Sequence, residues 1–103
     1  MNQYIVNYLG GDKPQSPEEG KAHFAKYQKW LESLGDSVLI PMAPYKHVHT
    51  MQSDGTTTPG SSVAMTGHTI LQAESIEKAL ALAKSCPFLE INGVLEVAEM
   101  IEM

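Results

Sequence analysis

The chain has 103 residues, 43% of them hydrophobic, one cysteine and a formal net charge of −5. That length suits one domain, spanning 1–103, with one modest core, and the apolar content excludes a disordered chain. The acidic balance and the absence of a basic run argue against nucleic acid as a partner. No apolar run approaches the roughly 20 residues that span a bilayer, so no membrane partner is expected. One cysteine excludes an internal disulfide. Because the opening MNQYIVNYLG also lacks a basic segment followed by a long apolar one, a cytoplasmic protein is predicted.

Residues 2–9, NQYIVNYL, are rich in β-branched and aromatic types and read as a strand. Tyr4, Val6 and Tyr8 fall on one face, Ile5, Asn7 and Leu9 on the other. Apolar groups on both faces predict an inner strand. After a loop over 10–15, the run SPEEGKAHFAKYQKWLESLG from Ser16 to Gly35 is the strongest helix in the chain. Ser16 is a good N-cap, Pro17 suits the first helical position, and Glu19 completes a capping box. Gly35 supplies the stop. Phe24, Tyr27, Leu31 and Leu34 recur at helical spacing and predict the buried stripe, with His23 and Trp30 on the same side.

Ser37 to Met42 reads as a short strand closed by Pro41 and Pro44. KHVHTMQ and TTTP flank Ser53-Asp54-Gly55 and predict a protruding hairpin. Gly60 to Gly67 is small and polar and reads as a loop. HTILQA, from His68, reads as a strand. Ser75 caps a second helix with Ile76, Ala79, Leu80 and Ala83 inward, ended by Cys86-Pro87. Asn92-Gly93 is a turn, and the tail VLEVAEMIEM reads as the last strand.

The order β-α-β-(hairpin)-β-α-β predicts an α+β, ferredoxin-like βαββαβ fold with two helices on one face of an antiparallel sheet. The sheet's other face is left uncovered, and a homodimer is the expected way of burying it.

The chain resembles the YCII-related family, particularly its DGPF-type branch. The matching features are the strand QYIVNYLG, the S-P-E-E helix with its His and Trp-x-x-x-Leu-Gly run, the central Asp-Gly turn, HTILQAESIEKALALAKSCP, and the closing Glu-Val strand. The resemblance covers nearly the whole chain through a pattern of elements. It implies a dimeric α+β barrel, in which two ferredoxin-like sheets face each other around a cleft. It also implies a small organic ligand, since some related proteins act on compounds such as chlorinated aromatics. One branch has been proposed to use a histidine from the first helix with an aspartate at the end of the second. His23 matches that histidine, whereas Cys86 stands at the aspartate position. The DGPF signature is absent, VAMTGH occupying 63–68, and the Arg-Pro often found in the last strand is replaced around Ala98 and Glu99.

His23 is the candidate acid–base group, because an unperturbed imidazole titrates near neutrality. Its alternative is a structural histidine bonded to a backbone carbonyl. Tyr8, Tyr27, Tyr45, His47 and His68 are candidate ligand-binding residues, although Tyr27, like Phe24 and Trp30, is equally a core residue. His47 and His49, two apart on a strand, would share a face with roots roughly 6.6 Å apart and form half of a metal site. Against this stands an exposed polar hairpin. Cys86, expected at a helix C-terminus where a thiolate is disfavoured, reads as a small buried hydrophobe. Glu96, Glu99 and Glu102 read as a solvated edge. No cofactor is expected. Three functions remain open: a small-molecule-binding protein or enzyme using a cleft of the dimeric barrel, under the first helix, with His23 as its acid–base group; a metal site at the hairpin histidines; and a non-catalytic dimerisation or assembly domain.

Overall fold

The structure is a computed structural model that describes residues 1–101; Glu102, assigned above to a solvated edge, lies outside them. Strand β1 (Asn2–Gly10) leads to helix α1 (Pro17–Leu34) and strand β2 (Val38–Pro44). A hairpin of β3 (His49–Met51) and β4 (Thr57–Pro59) follows, then β5 (Met65–Ala73), α2 (Ile76–Ala83) and β6 (Gly93–Met100). The main sheet is antiparallel in the order β2-β5-β1-β6, with β3 and β4 paired separately. This is the ferredoxin-like order with an inserted hairpin, as the element pattern predicted. Among the described residues no helix is long and apolar enough to cross a membrane.

Alternation along β1 and β5 makes the layers. Tyr4, Val6 and Tyr8 of β1 and Thr69, Leu71 and Ala73 of β5 are buried beneath the helices. The intervening residues are half-buried on the open face. The molecule is only 18 Å thick along its shortest axis, which accommodates one sheet and one helical layer.

Helix α1 starts as the capping residues dictate, with Ser16 Oγ accepting from the Glu19 amide at 3.1 Å. Its buried stripe is turned from the predicted one. Phe24 is 59% exposed, whereas Tyr27 and Trp30 are buried and His23, Leu31 and Leu34 are half-buried. The cause is Trp30, whose indole N–H donates to the Leu82 carbonyl at 3.1 Å and ties α1 to the end of α2. On α2, Ala79 and Ala83 are buried while Leu80 is half exposed. Ala79 packs against Tyr4 and Ala73 of the sheet.

Two strand boundaries differ from the sequence expectation. Strand β2 continues through Pro41 to Pro44, which an edge strand tolerates. Strand β5 begins at Met65, so the expected loop over 60–67 is shorter than its small polar residues indicated. Pairing decides this: Gly67 lies opposite both Tyr8 and Pro44, and a Cβ there would sit 2.8 Å from the Ala43 carbonyl oxygen. The hairpin turn is held by Asp54, whose carboxylate accepts from the Thr56 amide and hydroxyl at 2.9 and 2.7 Å. Those bonds draw its pKa down.

Candidate functional site

The loop after β1 crosses beneath α1 and meets the 3-10 turn over Pro87–Ile91. The Asp12 amide donates to the Ile91 carbonyl at 2.7 Å, and the Asn92 side-chain amide donates to Asp12 Oδ2, also at 2.7 Å. Asn92 adopts a left-handed conformation, with φ of 60°, which asparagine tolerates better than most residues. Pro14 rests against Gly20 of α1 at a distance that leaves only ordinary contact for a Cβ. These ties frame a cavity of about 500 Å³ between α1, the loop and the 3-10 turn.

His23 and Tyr27 lie one helical turn apart and both line this cavity. Their rings pack edge to face with centroids 4.8 Å apart. His23 Nε2 and the Tyr27 hydroxyl are buried, and neither makes a hydrogen bond to nitrogen or oxygen among the described residues, although the Cys86 thiol, a weak partner, lies beside the Tyr27 hydroxyl. Such orphaned polar atoms are uncommon in folded proteins. Pro14, Phe24, Met42 and Ile91 contribute apolar wall, and Asp12, Glu19, Lys26 and Glu90 are exposed charged residues around it. Lys26 and Glu90 form an exposed ion pair at 3.5 Å.

Behind Tyr27 the polar interior continues. Tyr8 packs edge-on against Tyr27 with centroids 6.0 Å apart, and its hydroxyl bonds the Thr69 hydroxyl. Cys86 is buried beside both tyrosines. Burial pushes the pKa values of both phenols upward, and the neighbouring Cys86 adds to the effect. Burial likewise raises the Cys86 thiol to about 11. At neutral pH all three groups therefore keep their protons. This fits Cys86 as a buried small side chain.

The candidates chosen from sequence thus fall into three places. His23 and Tyr27 share the cavity, with Tyr8 in the layer behind. Tyr45 and His68 lie together on the open side of the sheet, where the Tyr45 hydroxyl and His68 Nδ1 are 2.5 Å apart. His47 and His49 sit at the base of the hairpin, but not as a strand pair. His47 precedes β3 with a left-handed φ of 56°, and its carbonyl lies 2.8 Å from His49 Nδ1. The same-face spacing expected of two strand residues is therefore not realised. Among the described residues no group of three or more His, Cys, Asp or Glu side chains is placed to hold a metal. Asp12, Glu19, Glu90 and Met42 were not anticipated as cavity residues. Of these only Asp12 has a sequence signal, an indirect one, in the Asn92-Gly93 turn that fixes it.

Comparison with known proteins supports the architecture. The YCII-related domain model matches residues 5–103. No curated protein is significantly similar to the chain. Among solved structures, 5-chloro-2-hydroxyhydroquinone dehydrochlorinase (TftG) from Burkholderia phenoliruptrix AC1100, in complex with 2,5-dihydroxybenzoquinone, superposes with a TM-score of 0.60. It is 16% identical, and the alignment covers 98% of this chain and 95% of that one. At that identity the likeness concerns the fold, an α+β sheet with two helices packed on it.

Proposed function

The chain belongs to the YCII-related domain family, and from that premise we propose that it binds a small organic molecule in the cavity beneath α1. In this reading His23 is the acid–base group of any proton transfer carried out there. The observation that carries the reading is the pair of orphaned polar atoms, His23 Nε2 and the Tyr27 hydroxyl, on residues of one cavity wall. A buried polar atom without a partner costs about 1–3 kcal/mol, which a ligand offering a matching group would recover. The cavity's volume of about 500 Å³ lies within the ordinary range for small-molecule sites. Its wall combines aromatic and aliphatic surface with few polar groups, as such sites do. The solved neighbour's name describes chemistry on a small ring compound, which makes ring compounds the first ligands to try.

We further propose that the working form is a homodimer joined through the open sheet face, in a cytoplasmic setting. Support for the dimer comes from half-buried Ile5, Leu9 and Ile70 and exposed Ile40 and Val94, an unusual set for a face left to water.

The test of the site is His23→Asn. Because Nε2 has no partner to lose, stability should change by less than about 0.5 kcal/mol. Binding of small aromatic or enol-type ligands should weaken about tenfold, the worth of one good hydrogen bond. A drop of 1–3 kcal/mol in stability with binding intact would make His23 part of the scaffold instead.

A further inference from the structure

This inference rests on the reading of the cavity as a ligand site and concerns which ligands it admits. The polar groups divide by depth. Tyr27 is only 4% exposed, and its hydroxyl and His23 Nε2 are shielded from water. Around them, at the surface, stand three carboxylates, Asp12, Glu19 and Glu90, and one ammonium, Lys26. That ammonium is engaged by Glu90. The rim is therefore net negative, and the inner wall offers no fixed cation.

We propose that the cavity selects uncharged ring compounds bearing a carbonyl or hydroxyl oxygen and rejects their carboxylate and phosphate counterparts, with the Tyr27 O–H donating to that oxygen. Three observations support this. First, an anion entering the site would lose hydration without gaining a buried counter-charge, and a desolvated charge needs one. It would also meet the field of the rim carboxylates, whose effect is screened only partly over the roughly 8–10 Å Debye length of ordinary buffers. Second, burial holds the Tyr27 phenol in its protonated form, so it is a permanent neutral donor. A neutral oxygen suits such a donor, and the same or an adjacent group on the ligand reaches His23 Nε2, which accepts or donates according to tautomer. Third, Pro14, Phe24, Met42 and Ile91 give the ring an apolar wall.

The experiment titrates the full chain at pH 7 with two neutral probes, benzamide and phenol, and two anionic ones, benzoate and phenyl phosphate, followed by ligand-observed NMR. Neutral probes should bind at least about tenfold more tightly than anionic ones, as expected of two uncompensated charges nearby. Glu90→Gln removes one rim charge and releases Lys26, and should narrow that gap to about threefold. Tyr27→Phe should weaken benzamide about tenfold while leaving the melting temperature nearly unchanged, because the deleted hydroxyl has only the weakly bonding Cys86 thiol beside it. Anionic probes binding as tightly as neutral ones would overturn the charge selection. Benzamide binding unaffected by Tyr27→Phe would overturn the tyrosine's role. In either case, loss of the same binding in His23→Asn would keep the cavity as a ligand site. If none of the four probes binds at millimolar concentration, the ligand site and its selectivity fall together.

Discussion

The two faces of the main sheet are made by the same strands and differ in almost everything else. Under the helices, β1 and β5 place Tyr4, Val6, Tyr8, Thr69 and Leu71, each with no exposed surface. On the other side the register builds rows across the sheet. Ile40, Ile70, Ile5 and Ala98 form one, and Ala43, His68, Asn7 and Glu96 form the next. A solvated face would carry alternating charge, and a closed core would carry no Glu96. The open face is intermediate, an apolar row beside a polar one, which is how surfaces that meet another protein are composed. The covered face teaches a different lesson. Tyr8, Thr69, Cys86, Tyr27 and His23 lie together at one end of it, where the cavity opens, whereas the Tyr4 hydroxyl sits in a separate cluster and donates to Glu99.

Neighbouring residues on β5 provide the sharpest test of that contrast. Leu71→Ala removes a fully buried side chain from the covered face and should cost about 2–5 kcal/mol in chemical denaturation. Ile70→Ala, one residue away and half-buried on the open face, should cost less than about half as much at low protein concentration. Equal losses at nanomolar protein would mean that the open face is already packed within one chain.

The proposed dimer predicts that Ile70→Lys acts on assembly rather than on folding. A chain of 11.3 kDa should show twice that mass by light scattering at micromolar concentration, and the variant should show the single mass. A lysine set into the apolar row of each buried sheet face should weaken association at least about a hundredfold. A parent protein that scatters as a monomer would remove the open face's partner.

The covered face should also set the alkaline limit of stability. The Cys86 thiol rises from an ordinary 9.0 to about 11 on folding, so between those values the unfolded chain has released a proton that the folded chain retains. Stability is therefore full below pH 9 and falls as pH rises toward 11, with a slope of up to about 1.4 kcal/mol per pH unit from this group. The raised phenols of Tyr8 and Tyr27 steepen the fall above their ordinary value of 10. Cys86→Ala should flatten the curve between pH 9 and 10 in urea titrations at fixed temperature. An unchanged slope would mean that the thiol titrates as if in water.

What the sequence made legible follows the same division. The alternation of β1, the Ser16 and Ser75 caps and the Asp54-Gly55 turn are local signals, and each element they predict is present. His23 was legible as an odd residue in an apolar stripe. The orientation of that stripe was not, because it depends on Trp30 meeting Leu82 52 positions away. The acidic rim was hidden for the same reason. Asp12 and Glu90 come from opposite ends of the chain and meet only when the loop after β1 docks on the 3-10 turn. The hairpin histidines mark a different limit. A two-residue spacing implies one face only if both residues are strand, and the left-handed turn at His47 removes that condition.

The smallest effect expected is also the one most sensitive to which face is which. The Tyr45 hydroxyl and His68 Nδ1 are bonded at 2.5 Å on the open side, in the polar row that includes Asn7 and Glu96. In a lone chain this bond is reached by water, and deleting the hydroxyl in Tyr45→Phe exchanges a protein partner for a solvent one. Its cost should then be no more than about 0.5 kcal/mol, the low end for an intramolecular hydrogen bond. In a dimer closed over this face, the same deletion leaves an imidazole nitrogen buried without its partner, and the cost should rise to about 1–1.5 kcal/mol. The two situations are separated by concentration alone. Denaturation of parent and variant at nanomolar and at tens of micromolar protein should give a difference that grows with concentration, because association stabilises the folded state by mass action. A difference that stays constant over that range would show that Tyr45 and His68 face water in every state, and the dimer would have to form elsewhere.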